Sequence, residues 1–151
     1  MSLHSYTKIL LHLVWSTLNR EKIITKDVQP RVSKFLYEYS KKKKIFMITN
    51  YVNADHVHVL IDLPTGITVE DCLKLLKGGS SFYINQEKLL KKKLQWGRGY
   101  GAFSVSESAK DKVVEYIRNQ EEHHRAKTFA EEFEIMVKKY GLNMNGSAKG
   151  G

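Results

Sequence analysis

Cysteine is nearly absent: Cys72 is the single one among 151 residues. That excludes an internal disulfide and fits the reducing interior of a cell. Long apolar runs are missing too. The longest, ILLHLVW at residues 9–15, falls far short of the roughly 20 residues that a membrane-crossing helix needs. The opening stretch MSLHSYTK lacks the basic and then apolar order of a secretory signal. A soluble, cytoplasmic protein without a membrane partner is therefore expected. No internal repeat and no long linker interrupts the chain. Its length suits one domain with a real core, placed at residues 1–142. The stretch NMNGSAKGG, residues 143–151, has no packing pattern and reads as a disordered tail.

Acidic residues are in deficit. Lys and Arg number 25 against 16 Asp and Glu, a net charge of 25 − 16 = +9. Such a surface attracts polyanions, although charge alone also fits a protein that is merely basic. Aromatics among the cations favour nucleic acid, because rings stack on bases while cations hold phosphates. YEYSKKKK (37–44) and KKKLQWGRGYGAF (91–103) have that mixture.

The order of elements follows from periodicity. KILLHLVWST (8–17) reads as a strand. Val28, Val32, Phe35, Leu36 and Tyr39 fall on one face of a helix, with Pro30 in its first turn and the lysines 41–44 at its negative end. IFMITNYVN (45–53) and HVHVLIDLP (56–64) form a strand hairpin. A helix begins at Thr68, a natural N-cap. Gly78 and Gly79 lie in its middle, as a kink or as a close backbone contact. GYGAFSVSES supplies a fourth strand, and AKDKVVEYIRNQEEHH and TFAEEFEIMVKKYG two further helices. The fold class expected is α+β: a ferredoxin-like split β-α-β-β-α-β antiparallel sheet with helices on one face, followed by C-terminal helices.

Within that plan, NADHVHVLIDLP (53–64) places His56 and His58 on one face of a strand, with Val57 and Val59 on the core side. Two imidazoles so placed can share a divalent cation, but two ligands hold a metal incompletely. In KVVEYIRNQEEHH, Tyr116 and Gln120 stand at i and i+4 of a helix. Taken singly, Tyr116 fits an ordinary rim aromatic and Gln120 a solvated amide. Together with the histidines they fit a tyrosine nucleophile beside a metal to which Gln120 gives its carbonyl oxygen.

The histidine–hydrophobe–histidine strand and the later Tyr-x-x-x-Gln helix resemble the HUH endonuclease superfamily. They most resemble its small single-tyrosine transposases, the IS200-like family. LHLVWST, NADHVHVLIDLP, LKGGSS, WGRGYGAFSVSES and VVEYIRNQEEHH carry the likeness, over roughly residues 5 to 140. The resemblance implies a DNA transposase that cuts and rejoins single-stranded DNA at hairpin-marked ends. Tyr116 would be the nucleophile, forming a 5′-phosphotyrosine intermediate. His56, His58 and Gln120 would hold Mg²⁺ or Mn²⁺. The resemblance also implies a homodimer whose tyrosine helix acts in trans, pivoting on SESAKD (106–111), and work on nucleoid DNA.

Weaker assignments surround this centre. Asp55 either orients an imidazole or caps the hairpin turn. His123 returns near the Tyr116 face after seven residues. Lys41, Lys42, Lys43, Lys44, Lys91, Lys92, Lys93 and Arg98 are DNA-contact candidates that equally suit a solvated helix end and loop. His4 and His12 read as structural or exposed, His124 as a helix-end charge, and Cys72 as core. Two competing functions remain: a non-catalytic single-stranded nucleic-acid-binding module of the same fold, and a host-encoded relative acting on repeated extragenic hairpins. RNA-recognition domains share the element order, but no strand here has their aromatic signature.

Overall fold

The structure is a computed structural model that describes residues 5–123 and 127–142, without the side chain of His123. His4, His124 and residues 143–151 lie outside the described residues. Strand β1 (Leu10–Ser16) leads to helix α1 (Gln29–Lys42), strands β2 (Phe46–Val52) and β3 (His56–Asp62), and helix α2 (Val69–Gln86). Strand β4 (Gly101–Val105) follows, then helices α3 (Lys110–Arg118), α4 (Gln120–His123) and α5 (Phe129–Lys139). The strands form one antiparallel sheet in the order β2-β3-β1-β4. The expected α+β split fold is the observed one.

Alternation along β1 and β3 gives the sheet two apolar faces. Leu13, Trp15, Val57, Val59 and Ile61 pack on one face against Val32 and Leu36 of α1 and Cys72, Leu73 and Leu76 of α2. On the other face, Leu10 and Leu60 meet Ile117 of α3, and Val14 and Phe103 meet Phe129 and Val137 of α5. The expected helix layer thus covers the first face, and the C-terminal helices cover the second. Both histidines of β3 project into that second layer.

Thr68 caps α2, accepting a hydrogen bond from the Asp71 amide at 3.0 Å. The helix then runs unbroken through Gly78 and Gly79. A Cβ on Gly79 would lie 2.5 Å from Cε2 of Tyr39, whereas one on Gly78 meets nothing within 4 Å. Of the two sequence-based explanations, the pair reflects close approach of α1 and α2 at Gly79, not a kink.

The helix expected through residue 124 differs. α3 ends at Arg118; Asn119, with φ of −94° and ψ of 26°, leaves the helical region, and α4 restarts at Gln120. No Pro or Gly marks this break. Tertiary packing overrides the local pattern here, because Gln120 is fully buried and turns towards the sheet.

Candidate active site

β3 fixes His56 and His58 beneath α3 and α5, at 1% and 0% exposure. Their rings lie 5.1 Å apart between centroids. Each imidazole is anchored through one nitrogen. Asp55 Oδ1 stands 2.6 Å from Nδ1 of His56. Nε2 of His12 stands 2.8 Å from Nδ1 of His58. His12 reaches it from β1 because it lies diagonal to His58 across the pairing Val14↔His58. Anchoring at Nδ1 turns both Nε2 atoms inward.

Both Nε2 atoms face one carboxylate. Glu132 Oε1 lies 3.2 Å from Nε2 of His58 and 3.5 Å from Nε2 of His56. The Tyr116 hydroxyl donates to Glu132 Oε2, and Gln120 Nε2 donates to the same oxygen at 3.0 Å. Asn53 Nδ2 closes the ring, 3.0 Å from Nε2 of His56 and 3.5 Å from Gln120 Oε1. Tyr116, His56, His58 and Gln120 therefore assemble within one chain, and the Tyr116 and His58 rings are 6.0 Å apart.

Burial sets the protonation states. It lowers the His12 pKa to about 3, helped by the nearby His58, so His12 is neutral near pH 7. Burial would also lower His56, but hydrogen bonds and charge from Asp55 and Glu132 outweigh it and raise its pKa. Asp55 responds in kind: burial opposes its charge, yet the His56 contact holds the carboxyl below its usual value. Burial, then the hydrogen bond and charge of Glu132, push the Tyr116 hydroxyl above the ordinary tyrosine value. Unassisted ionisation near neutrality is thus unfavourable, and Tyr116 needs a proton acceptor at hand.

His56, His58 and Glu132 offer two nitrogens and an oxygen within 4.8 Å of one another. That donor set, with both Nδ1 atoms already partnered, fits a divalent cation. Asp55 orients an imidazole, one of its two expected roles. Gln120 is buried beside the site instead of solvated.

Glu132 and Asn53 escaped the sequence reading, and His12, read as structural or exposed, is buried and pairs with His58. For Glu132 a signal exists. Thr128 and Glu131 form a capping box that fixes the start of α5. Counting from there, Glu132 falls on the apolar stripe of Phe129, Phe133 and Met136, where an acid has no packing reason to be.

The basic candidates separate. Lys91, Lys92, Lys93 and Arg98 are exposed in a loop tied to the His56 end of the sheet. Gly97 N donates to Ser16 O at 2.8 Å, and Ser16 pairs with His56. Lys77 Nζ secures this loop by donating to Gly97 O at 2.7 Å. Lys41–Lys44 are exposed at the other end of β2, away from the turn that leads to His56. Two clefts open on the site instead. One of about 540 Å³ reaches His56 and is lined by Lys22, Lys26 and Lys127 together with Asp55, Glu121 and Glu131. Another of about 330 Å³ reaches Tyr116 and Glu132 and is lined by Lys112, Lys127 and Lys139.

The chain is similar to known transposases in sequence and in fold. A family model described as "Transposase IS200 like" matches residues 5–120. The chain is 28% identical over 115 residues to the ISDra2 transposase TnpA of Deinococcus radiodurans, covering 72% of this chain and 81% of that one. It is 25% identical over 127 residues to the transposase of insertion sequence element IS200 from Salmonella typhimurium, covering 81% and 83%. Among solved structures, a candidate transposase from Deinococcus radiodurans R1 superposes with a TM-score of 0.64 at 24% identity, over 80% of this chain and 96% of that one. A REP-associated tyrosine transposase bound to a REP hairpin superposes at 0.57 and 13% identity, over 82% and 74%. The family match stops at Gln120, so α5 and Glu132 lie beyond it.

Proposed function

This chain belongs to the IS200-like transposase family, and we propose that it cuts and rejoins single-stranded DNA through Tyr116. The observation that carries the reading is the convergence of Tyr116, His56, His58 and Gln120, from β3, α3 and α4, at one buried point. Tyr116 Oη attacks the scissile phosphorus. The Oη–P bond forms and the P–O3′ bond breaks, leaving a 3′ hydroxyl and a 5′-phosphotyrosine. In the reverse sense a 3′ hydroxyl attacks the phosphotyrosine and restores the strand. No nucleotide cofactor is required, because the phosphotyrosine conserves the phosphodiester bond.

His56, His58 and Gln120 are the ligands that this reading assigns to Mg²⁺ or Mn²⁺. The bound ion would polarise the phosphate and offset charge in the transition state. Asp55 and His12 hold the two imidazoles with Nε2 directed at the site. The side chains of α3 and α5 bury the imidazoles and leave Tyr116 half-buried at the mouth of a cleft. Lys22, Lys26, Lys112, Lys127 and Lys139 line the routes by which a DNA backbone would arrive. Lys91–Lys93 and Arg98 extend that surface, and Lys41–Lys44 provide a more distant one.

The substrate proposed is a DNA hairpin at an element end, the class of ligand on the solved relative bound to a REP hairpin. The acting unit is residues 1–142, working on nucleoid DNA in the cytoplasm. It is a homodimer in which α3 can be exchanged. The turn Glu107–Ala109 directly precedes α3 and would be the pivot. Exchange would rebuild the same Tyr116 contacts across the pair.

The test is a cleavage assay on single-stranded DNA carrying the verified hairpin end, with Mg²⁺ or Mn²⁺, with and without chelator. A metal-dependent covalent adduct on a denaturing gel, absent in Tyr116→Phe, is expected. DNA binding without any adduct would refute the catalytic reading in favour of a binding module. Mixing Tyr116→Phe with His56→Ala chains distinguishes the two arrangements: adduct returns in the mixture only if the tyrosine acts in trans.

A further inference from the structure

We infer that Glu132 is a catalytic residue of this site, joining the metal ligands through one carboxylate oxygen and accepting the Tyr116 proton on the other. The inference rests on the cation site proposed above. Four observations lead to it.

First, Glu132 is 5% exposed on the apolar face of α5, with little solvent to compensate its charge. A buried carboxylate requires partners. Among the described residues, its partners include the two imidazoles, the Tyr116 hydroxyl and the Gln120 amide. Second, its two oxygens are divided. Oε1 faces both Nε2 atoms, while Oε2 faces Tyr116 and Gln120. One oxygen is thus on the metal side and the other on the nucleophile side. Third, the spacing suits a shared cation. Donors about 2.1 Å from an ion, subtending 90–110° at it, stand about 3.0–3.4 Å apart. The separations from Glu132 Oε1 to the two Nε2 atoms are 3.2 and 3.5 Å. Both fall in or beside that range, so the carboxylate oxygen is placed to share an ion with either imidazole. Fourth, Gln120 presents its amide nitrogen to Glu132, so in this arrangement it steadies the carboxylate. An octahedral ion has room for both side-chain oxygens and for a phosphate oxygen as well.

The proton balance closes. As the Tyr116 Oη–P bond forms, the hydroxyl proton passes to Glu132 Oε2, already its hydrogen-bond acceptor. As the P–O3′ bond breaks, the leaving 3′ oxygen takes up that proton from Glu132, directly or relayed through one water, and Glu132 returns to the carboxylate. The reverse reaction returns the proton to Tyr116.

The test uses the full chain and Mn²⁺ alone, followed by titration calorimetry and by the electron-spin signal of free Mn²⁺. Glu132→Gln keeps the shape and removes the charge. It should weaken Mn²⁺ binding by about tenfold or more, at least the effect of losing an outer partner of a ligand. At saturating Mn²⁺ it should also slow formation of the Tyr116–DNA adduct. If His56→Ala abolishes Mn²⁺ binding while Glu132→Gln leaves both the affinity and the adduct rate unchanged, the Glu132 assignment is overturned and the cation site stands. If the wild-type chain binds no Mn²⁺, the cation site itself falls, and this inference with it. Should Glu132→Gln fail to fold, Glu132→Asp replaces it, drawing the carboxylate back by one methylene. Weakened Mn²⁺ binding supports the assignment, and unchanged binding and adduct rate overturn it.

Discussion

The two adjacent glycines of α2 should respond oppositely to the same substitution. Both lie mid-helix, where Gly→Ala is favourable by about 1 kcal/mol through backbone entropy. Gly78 is exposed, and its added methyl meets nothing within 4 Å. Gly78→Ala should therefore stabilise by about 1 kcal/mol. At Gly79 the methyl would lie 2.5 and 2.6 Å from Cε2 and Cζ of Tyr39. The ring must move, and it is stacked on Phe35 at 5.1 Å with Lys43 Nζ 5.5 Å from its centroid. Overpacking of this kind costs about 1–3 kcal/mol. The helix gain offsets part of it, leaving Gly79→Ala neutral to destabilising by about 2 kcal/mol. At this chain length 1 kcal/mol moves the Tm by about 2–4 °C, so thermal unfolding by circular dichroism resolves the two. Removing the ring is the decisive control. In a Tyr39→Ala background, Gly79→Ala should become stabilising, as Gly78→Ala is. Equal Tm shifts for the two single variants would refute the close-contact explanation.

Asp55→Asn keeps a hydrogen-bond acceptor near His56 Nδ1 but removes its charge. It should weaken Mn²⁺ binding by about 10–100-fold, and an unchanged dissociation constant would rule out an orienting role. His12 titrates at about 3 in the fold against 6.5 as a free side chain, so below that upper value the unfolded chain binds the extra proton and stability falls with pH. His12→Gln should flatten that acid limb in urea unfolding. The raised pKa of His56 acts oppositely, giving stability at low pH that is lost as pH rises through its folded value. The Cys72 thiol is fully buried, and burial raises its pKa to about 11. Alkylation by iodoacetamide should proceed only as the chain unfolds, and rapid reaction of the native protein would contradict this packing.

The sequence was most legible where one periodicity ruled a segment. Alternation in HVHVLID separated the valines of the core from the histidines, and that division is observed. The 3.6-residue pattern of α1 likewise located Val32 and Leu36. What escaped depended on distant neighbours. Nothing local marks Arg118 as the end of α3, because the break follows from burying Gln120. Read singly, His12 is only structural or exposed; the register of β1 against β3 is what brings it to His58. Glu132 belongs to the residue type least often buried, so its placement against two imidazoles becomes evident only when α5 is seen docked on the sheet.

Docking of α5 also sets an order of events while the chain is being made. The histidines and Tyr116 precede Glu132, the tyrosine by 16 residues, or roughly 1–3 s of synthesis at 5–20 residues per second. The α1–α2 layer and its core draw only on residues up to Leu94 for their buried members, so that layer has all its parts before α5 exists. A chain that has made Tyr116 but not Glu132 thus has both imidazoles on a sheet face that α3 covers only in part. Docking of α5 then covers the rest of that face and supplies its carboxylate in one event, so the site is complete only once that helix is in place.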